Sequence, residues 1–275
     1  MTRVGGQRVN TRSAVKRVAL WADRIVPPPS GITVLIYHRV GGGTDSAVDL
    51  EPDVFDRHMA HLVEHHRILS LDAALIELAG TDPARPAVVV TFDDGTADFS
   101  DVALPILVRH SVPATLYVAT EFVEELSPFP WGAPPATWTA LAEAVATGLV
   151  NIGSHTHSHR VLSEASREET IDEIDRSVEL ISERLGVAAR DFAYPKAIPP
   201  GPAAEVVVRQ RFRSATLAGG RVNRIGRVDP LRLARTPVQR SDSAEVFAAR
   251  AGGGMRLEGA VRAAVAGVRY RGVTT

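Results

Sequence analysis

Ala87-Val88-Val89-Val90-Thr91-Phe92-Asp93-Asp94-Gly95 is the stretch on which the reading of this chain turns: six residues dominated by valine, then two acids and a glycine. An apolar run without in/out alternation is what a strand covered on both faces looks like, and the acids mark where it leaves the core. Runs of the same kind recur at Ile32 to Tyr37, Ala114 to Ala119, Leu149 to Gly153, Phe192 to Tyr194, Arg213 to Leu217 and Leu233 to Val238. Helical patterns lie between them, at Val54 to His65, Asp98 to Val108, Thr137 to Ala146, Arg167 to Leu185 and Ala203 to Gln210. This alternation predicts an α/β fold, a single distorted (β/α) barrel of about seven parallel strands. In such folds the chemistry gathers at the carboxyl ends of strands, so the polar residues just after each run are the candidates.

The 275 residues, 45% hydrophobic and 23% charged, suffice to bury one sizeable core. Lys and Arg number 31 against 32 Asp and Glu, so no global basic field exists to hold nucleic acid, and a neutral or mixed-charge partner fits better. Without cysteine there are neither disulfides nor thiolate ligands, which leaves nitrogen and oxygen donors for any metal. No run of about 20 apolar residues is present to span a membrane, and Asp23 and Arg24 interrupt Val18 to Val26, where a signal peptide would need its apolar centre. Cytoplasmic residence is the expectation, with export lacking a recognisable signal as the alternative.

Residues 1–30 form a basic extension, with Arg3, Arg8, Arg12, Lys16, Arg17 and Arg24 against the single acid Asp23. Val15, Leu20 and Trp21 can share one apolar helical face. Two readings stay open: a helix packed on the barrel or a frayed tail, the commoner fate of such segments, and a weak association with an acidic membrane surface. Pro27, Pro28 and Pro29 close the extension before the first strand, and Met255 to Val268 reads as a final helix.

The acids Asp93 and Asp94 admit two readings. As a turn, Asp-Asp-Gly caps the helix that begins near Ala97. As a site, carboxylates this close raise one another's pKa, and a bound cation relieves the repulsion. The fourth run ends in Gly153-Ser154-His155-Thr156-His157-Ser158-His159. Histidines four apart lie on one face of a helical turn, so His155 and His159 can grip one zinc-like ion while His157 points elsewhere; a solvated histidine-rich loop is the alternative. One carboxylate with two imidazoles leaves positions open for water and substrate, as a hydrolytic metal site requires. His38, after the first run, is either a neutral histidine bonded beneath a loop or a general acid that protonates a departing amine. Tyr194 either packs or offers its hydroxyl or backbone N–H to an oxyanion. Trp131 and Trp138, in and just after the Pro-rich loop Ser127 to Pro135, either overhang the site or pack on the surface.

With these motifs assembled, the chain resembles the polysaccharide deacetylases of carbohydrate esterase family four, the NodB-type domains, from about Thr33 to Val238. The matching segments are Thr91-Phe92-Asp93-Asp94-Gly95, Ser154-His155-Thr156 with His159, and Phe192-Ala193-Tyr194-Pro195. The resemblance implies a catalytic base at Asp93, metal ligands at Asp94, His155 and His159, and an oxyanion contact at Tyr194. The family's usual late acidic histidine has no counterpart, because His159 is the last histidine in the chain. Tyr37-His38-Arg39-Val40 instead resembles the branch with an early Y-H-x-V motif, which implies His38 as the acid and Arg235 as a residue steadying the base. Lys196-Ala197 replace the family's aromatic and glycine. The implied organisation is a basic extension, 1–30, and a catalytic domain, 31–275. The implied activity is metal-dependent removal of N-acetyl groups from an N-acetylated sugar or polysaccharide. Zinc is the first choice of metal, with cobalt, nickel or iron as alternatives, and the partner is an N-acetylated glycan or sugar precursor. A deacylase of a small non-peptide amide and a catalytically impaired carbohydrate-binding relative are the competing expectations.

Overall fold

Seven parallel strands close into a barrel in chain order: β1 (Ile32–Tyr37), β2 (Ala87–Phe92), β3 (Ala114–Val118), β4 (Val150–Ser154), β5 (Asp191–Ala193), β6 (Ser214–Ala218) and β7 (Leu233–Pro237). The computed structural model describes residues 11–41, 43–81 and 85–261. Closure is made by β7 against β1, with Val34 beside Arg235, Leu35 beside Thr236 and Ile36 beside Pro237. Around the strands run α1 (Thr11–Ile25), α2 (Pro52–His65), α3 (Leu71–Ala79), α4 (Leu104–His110), α5 (Thr120–Glu125), α6 (Trp138–Ala146), α7 (Arg167–Leu185), α8 (Pro202–Arg211) and α9 (Ala244–Ala251).

The two-sided burial inferred from the valine-rich runs is visible in the packing. One alternating set, Leu35, Tyr37, Val88, Val90 and Phe92, packs outward with Phe55, Met59 and Leu62 of α2 and Leu107 of α4. The other set, Ile32, Val34, Ala87 and Val89, fills the barrel with Tyr117, Ala193 and Leu233. Each Val, Leu, Ile, Met or Phe among them contributes roughly 1.5–3 kcal/mol on burial, so neither face tolerates a polar register. The inward parity continues one residue past β2 and β4 and carries Asp93 and His155 towards the barrel axis, as it does Arg235 within β7.

Helix α7 matches its expected bounds because its start is explicit in sequence. The Ser166 side chain accepts from Glu169 N–H while the Glu169 carboxylate accepts from Ser166 N–H. The expected helix Asp98 to Val108 is instead a π-helical turn, Phe99–Ala103, running into α4. Proline in the first turn of α4 has no N–H to offer the preceding turn, which widens there. Helices α3, α5 and α9 lie outside the expected set: α5 is six residues long and α3 is nine, apolar over most of its surface. Of the expected final helix Met255 to Val268, residues 256–261 are helical and 262–268 lie outside the described residues, as do Arg3 and Arg8.

Residues 11–25 of the N-terminal extension form α1, which packs against α9 and the segments flanking it. Ala19 packs with Val246 and Met255. Lys16 Nζ reaches Asp242 Oδ1 at 2.7 Å and Ser241 Oγ at 2.9 Å, and Asp23 Oδ2 accepts from Met255 N–H. Among the described residues no helix is long and apolar enough to cross a membrane.

Candidate active site

At the carboxyl end of the barrel Asp94, His155 and His159 converge, with their ligand atoms all within 4.8 Å of one another. Asp94 Oδ1 lies 3.6 Å from His155 Nε2 and 3.4 Å from His159 Nε2. Ligand atoms about 2.1 Å from a shared ion at tetrahedral angles stand about 3.4 Å apart, so the spacing fits a zinc-sized centre. Local backbone produces this convergence. Asp94 has φ +79°, which turns its carboxylate off the strand's alternation. Gly95 follows at φ +91°, where an added Cβ would also press on Val118. Thr156 and His159 are left-handed as well, folding the loop after β4 back on itself. His155 Nδ1 donates to the Ala193 carbonyl at 2.7 Å, which fixes the tautomer and leaves the Nε2 lone pair facing Asp94.

The donor set is chemically prepared for a cation. Burial lowers His155 to about 4, and burial with the neighbouring His155 lowers His159 to about 3, so both rings are neutral donors at ordinary pH. Asp94 is pushed well above the usual carboxylate range, by burial and then by the charge of Asp93. Its Oδ1 is buried without a hydrogen-bond partner. A buried oxygen in that condition is costly unless something positive meets it.

Asp93 stands beside this group in the opposite electrostatic state. Arg235, fully buried, grips it with two hydrogen bonds, Nη1 to Oδ1 at 2.6 Å and Nη2 to Oδ2 at 2.7 Å. Burial alone would raise the Asp93 carboxyl, but the Arg235 guanidinium, helped by His155, holds it well below the usual range. Arg235 is itself seated by Thr91 Oγ1 at 3.2 Å and by the Tyr117 ring, 5.3 Å from its centroid. His38 follows β1 with a buried Nδ1 that has no partner. Burial lowers its pKa, with the Asp93 charge opposing and the Arg235 charge reinforcing that shift. The loop beyond it is fixed by Asp98, whose Oδ2 accepts from Val40 N–H at 2.6 Å.

Residues 80–213 match the sequence profile of the polysaccharide deacetylases. IcaB from Ammonifex degensii shares the fold, with 26% identity and a TM-score of 0.71 over 82% of this chain and 97% of its own. The barrel is the fold of the polysaccharide deacetylases. The chain is similar to YxkH of Bacillus subtilis, with 23% identity over 169 residues, 61% of this chain and 57% of that protein. It is also similar to the chitooligosaccharide deacetylase of Rhizobium leguminosarum bv. phaseoli, with 30% identity over 138 residues, 49% of this chain and 53% of that protein. The chain thus spans a little over half the length of these two relatives.

Within this barrel one expected site residue is misplaced. Tyr194 does not join the others: its ring is buried against Phe192, 5.0 Å between centroids, in the cluster formed with α8. Its hydroxyl faces the charges of Glu205, Arg232 and Arg209 on the outside of the barrel. Its N–H donates to the Thr216 carbonyl at 3.2 Å, so neither group is offered to an oxyanion. The reason is strand parity, since Ala193 points inward and its neighbour therefore points out. Trp131 does overhang the site, its ring 5.6 Å from that of His159, while Trp138 Nε1 donates to Glu124 on α5. Lys196 and Ala197 both have left-handed backbone, and exposed Lys196 adds its charge to those acting on His159.

Glu173 of α7 is a site residue that the sequence reading missed. Its carboxylate accepts from His157 N–H at 3.0 Å, Ser158 N–H at 2.9 Å and Ser158 Oγ at 2.6 Å, clamping the loop that carries both histidines. Nothing in the sequence separates it from the other acids of an amphipathic helix. His157 turns away as expected, its Nδ1 3.0 Å from Thr120 Oγ1.

Proposed function

We propose that this chain is a metal-dependent hydrolase that removes N-acetyl groups from an N-acetylated sugar or polysaccharide. One observation carries the reading: the Asp94, His155 and His159 donors meet beside a second carboxylate that Arg235 keeps ionised. Asp94, His155 and His159 would hold a divalent ion, zinc first among the candidates, which would supply Lewis acidity towards water and the acetyl carbonyl. Asp93 accepts the proton of the attacking water, and Arg235 orients the carboxylate for that task. His38 delivers a proton to the departing amine nitrogen. Trp131 forms part of the wall over the site and limits water access to it.

A second division of labour has its own support. Both Asp93 oxygens are engaged by Arg235 at 2.6 and 2.7 Å, which leaves His38, with an unpartnered buried ring nitrogen, able to take the water's proton and then pass it on. Asp93 is then an electrostatic anchor.

Acetate release from N-acetylglucosamine oligomers by zinc-reconstituted protein, compared with chelated protein, tests the activity. Replacing His38 or Asp93 by alanine is expected to lower turnover by roughly 10²–10⁴-fold while bound metal is retained. Loss of metal in both variants contradicts the assigned roles. Acetate release only from small non-glycan amides supports the smaller-substrate deacylase, and binding of oligomers without release supports a carbohydrate-binding relative.

A further inference from the structure

The outer face of α1 is apolar, and nothing among the described residues covers it. Val18, Trp21, Ile25 and Val26 are 53%, 63%, 58% and 58% exposed. Positions 18, 21 and 25 fall at the three- and four-residue spacing that lines one side of a helix. The opposite side does the packing, through Lys16, Ala19 and Asp23. Leu257, also exposed, continues the surface, because the neighbouring Arg256 donates from Nη2 to the Val26 carbonyl at 2.8 Å. Exposed apolar residues scattered singly need no explanation, but a contiguous stripe with an indole at its centre does.

Charge indicates what covers it. The sole acid of residues 1–30, Asp23, is turned inward onto Met255, and the inward Lys16 is neutralised by Asp242. In solvent beside the stripe stand Arg17 and Arg24, the latter paired at the edge with exposed Glu245. Arg12 lies one turn earlier in the sequence, and Arg3 and Arg8 precede it. A second copy seated on this face by two-fold symmetry would bring arginine towards arginine. A tryptophan and aliphatic stripe between arginines instead matches the boundary of an anionic bilayer, where the indole sits at headgroup depth and each cation adds about 1 kcal/mol.

We propose that α1 seats this protein on an anionic lipid surface through Val18, Trp21 and Ile25, with Arg17 and Arg24 among the headgroups. Lys16 is anchored to Ser241 and Asp242, and Ala19 and Asp23 meet Val246 and Met255, so α1 is held against α9 and the segments flanking it with the stripe facing away. The inference does not depend on the proposed deacetylation.

Co-sedimentation of the full chain with phosphatidylcholine vesicles, with and without phosphatidylglycerol, tests it. The protein is expected to sediment with the phosphatidylglycerol vesicles, to shift its tryptophan emission to the blue, and to be released by salt. Arg17→Glu with Arg24→Glu should weaken recruitment at least about tenfold. Val18→Ser with Trp21→Ser and Ile25→Ser should abolish both recruitment and blue shift, while thermal melting stays unchanged because all three side chains are exposed. Equal recruitment to both vesicle types overturns the role given to the arginines. A protein that stays in solution with both overturns the proposal outright, and a dimer that the serine substitutions dissociate assigns the face to a second copy.

Discussion

Asp94 and Asp191 are buried acids at opposite ends of one barrel, and their surroundings differ in kind. Asp191, at the amino end of β5, is saturated: Ser214 Oγ donates at 2.6 Å, Asn151 Nδ2 at 3.1 Å, and the Arg213 guanidinium at 3.1 and 2.8 Å. Asp94, beyond the carboxyl end of β2, has an oxygen with no hydrogen-bond partner and faces two neutral imidazoles. A buried acid with a full set of donors is structural. One left short of partners beside ready nitrogen donors costs stability that the fold recovers when a cation arrives.

Acid should break the metal end first, and this is the largest expected effect. His155, His159 and, behind β1, His58 are held neutral by burial, with pKa values of about 4, 3 and 4 against an ordinary 6.5. Below 6.5 these three rings bind more protons in the unfolded chain than in the folded one, so the stability they contribute to the metal-free protein is complete above that value and is lost as pH falls towards 4. Melting temperatures measured from pH 7.5 down to 5 should fall steadily, and a flat profile would mean that these rings are solvated.

Removing a satisfied acid and removing an orphaned one should differ in sign. Asp191→Asn forfeits charged hydrogen bonds and is expected to cost about 3 kcal/mol in denaturant unfolding. Replacing Glu173 by alanine frees the loop after β4 and should weaken metal binding about 10–100-fold, read by chelator competition, without loss of the fold. Asp94→Asn in metal-free protein should leave stability unchanged or raise it by up to about 1 kcal/mol, since an uncompensated buried charge is withdrawn. A loss as large as that of Asp191→Asn would erase the distinction between the two ends.

Much of the barrel was legible because burial on both faces writes itself as unbroken apolar runs: β1 and β2 begin and end where Ile32 to Tyr37 and Ala87 to Phe92 do. The placement of Asp93, Asp94, His155 and His159 at strand ends followed from the same runs. Tyr194 was misread because β5 has three residues, too few to reveal its facing from sequence. The grip of Arg235 on Asp93 joins positions 142 residues apart, and only the closure of β7 on β1 shows how completely it is buried. Helix α3 was missed although Ser70 caps it by accepting from Ala73 N–H, because its mostly apolar surface carries no polar stripe.

That Asp94, His155 and His159 share one ion is tested most directly by calorimetric zinc titration of the native chain and single-site variants. One ion per chain is expected, lost in Asp94→Asn, His155→Ala and His159→Ala and kept in His157→Ala. Undiminished zinc binding by Asp94→Asn, or a loss in His157→Ala as great as in His159→Ala, would contradict it.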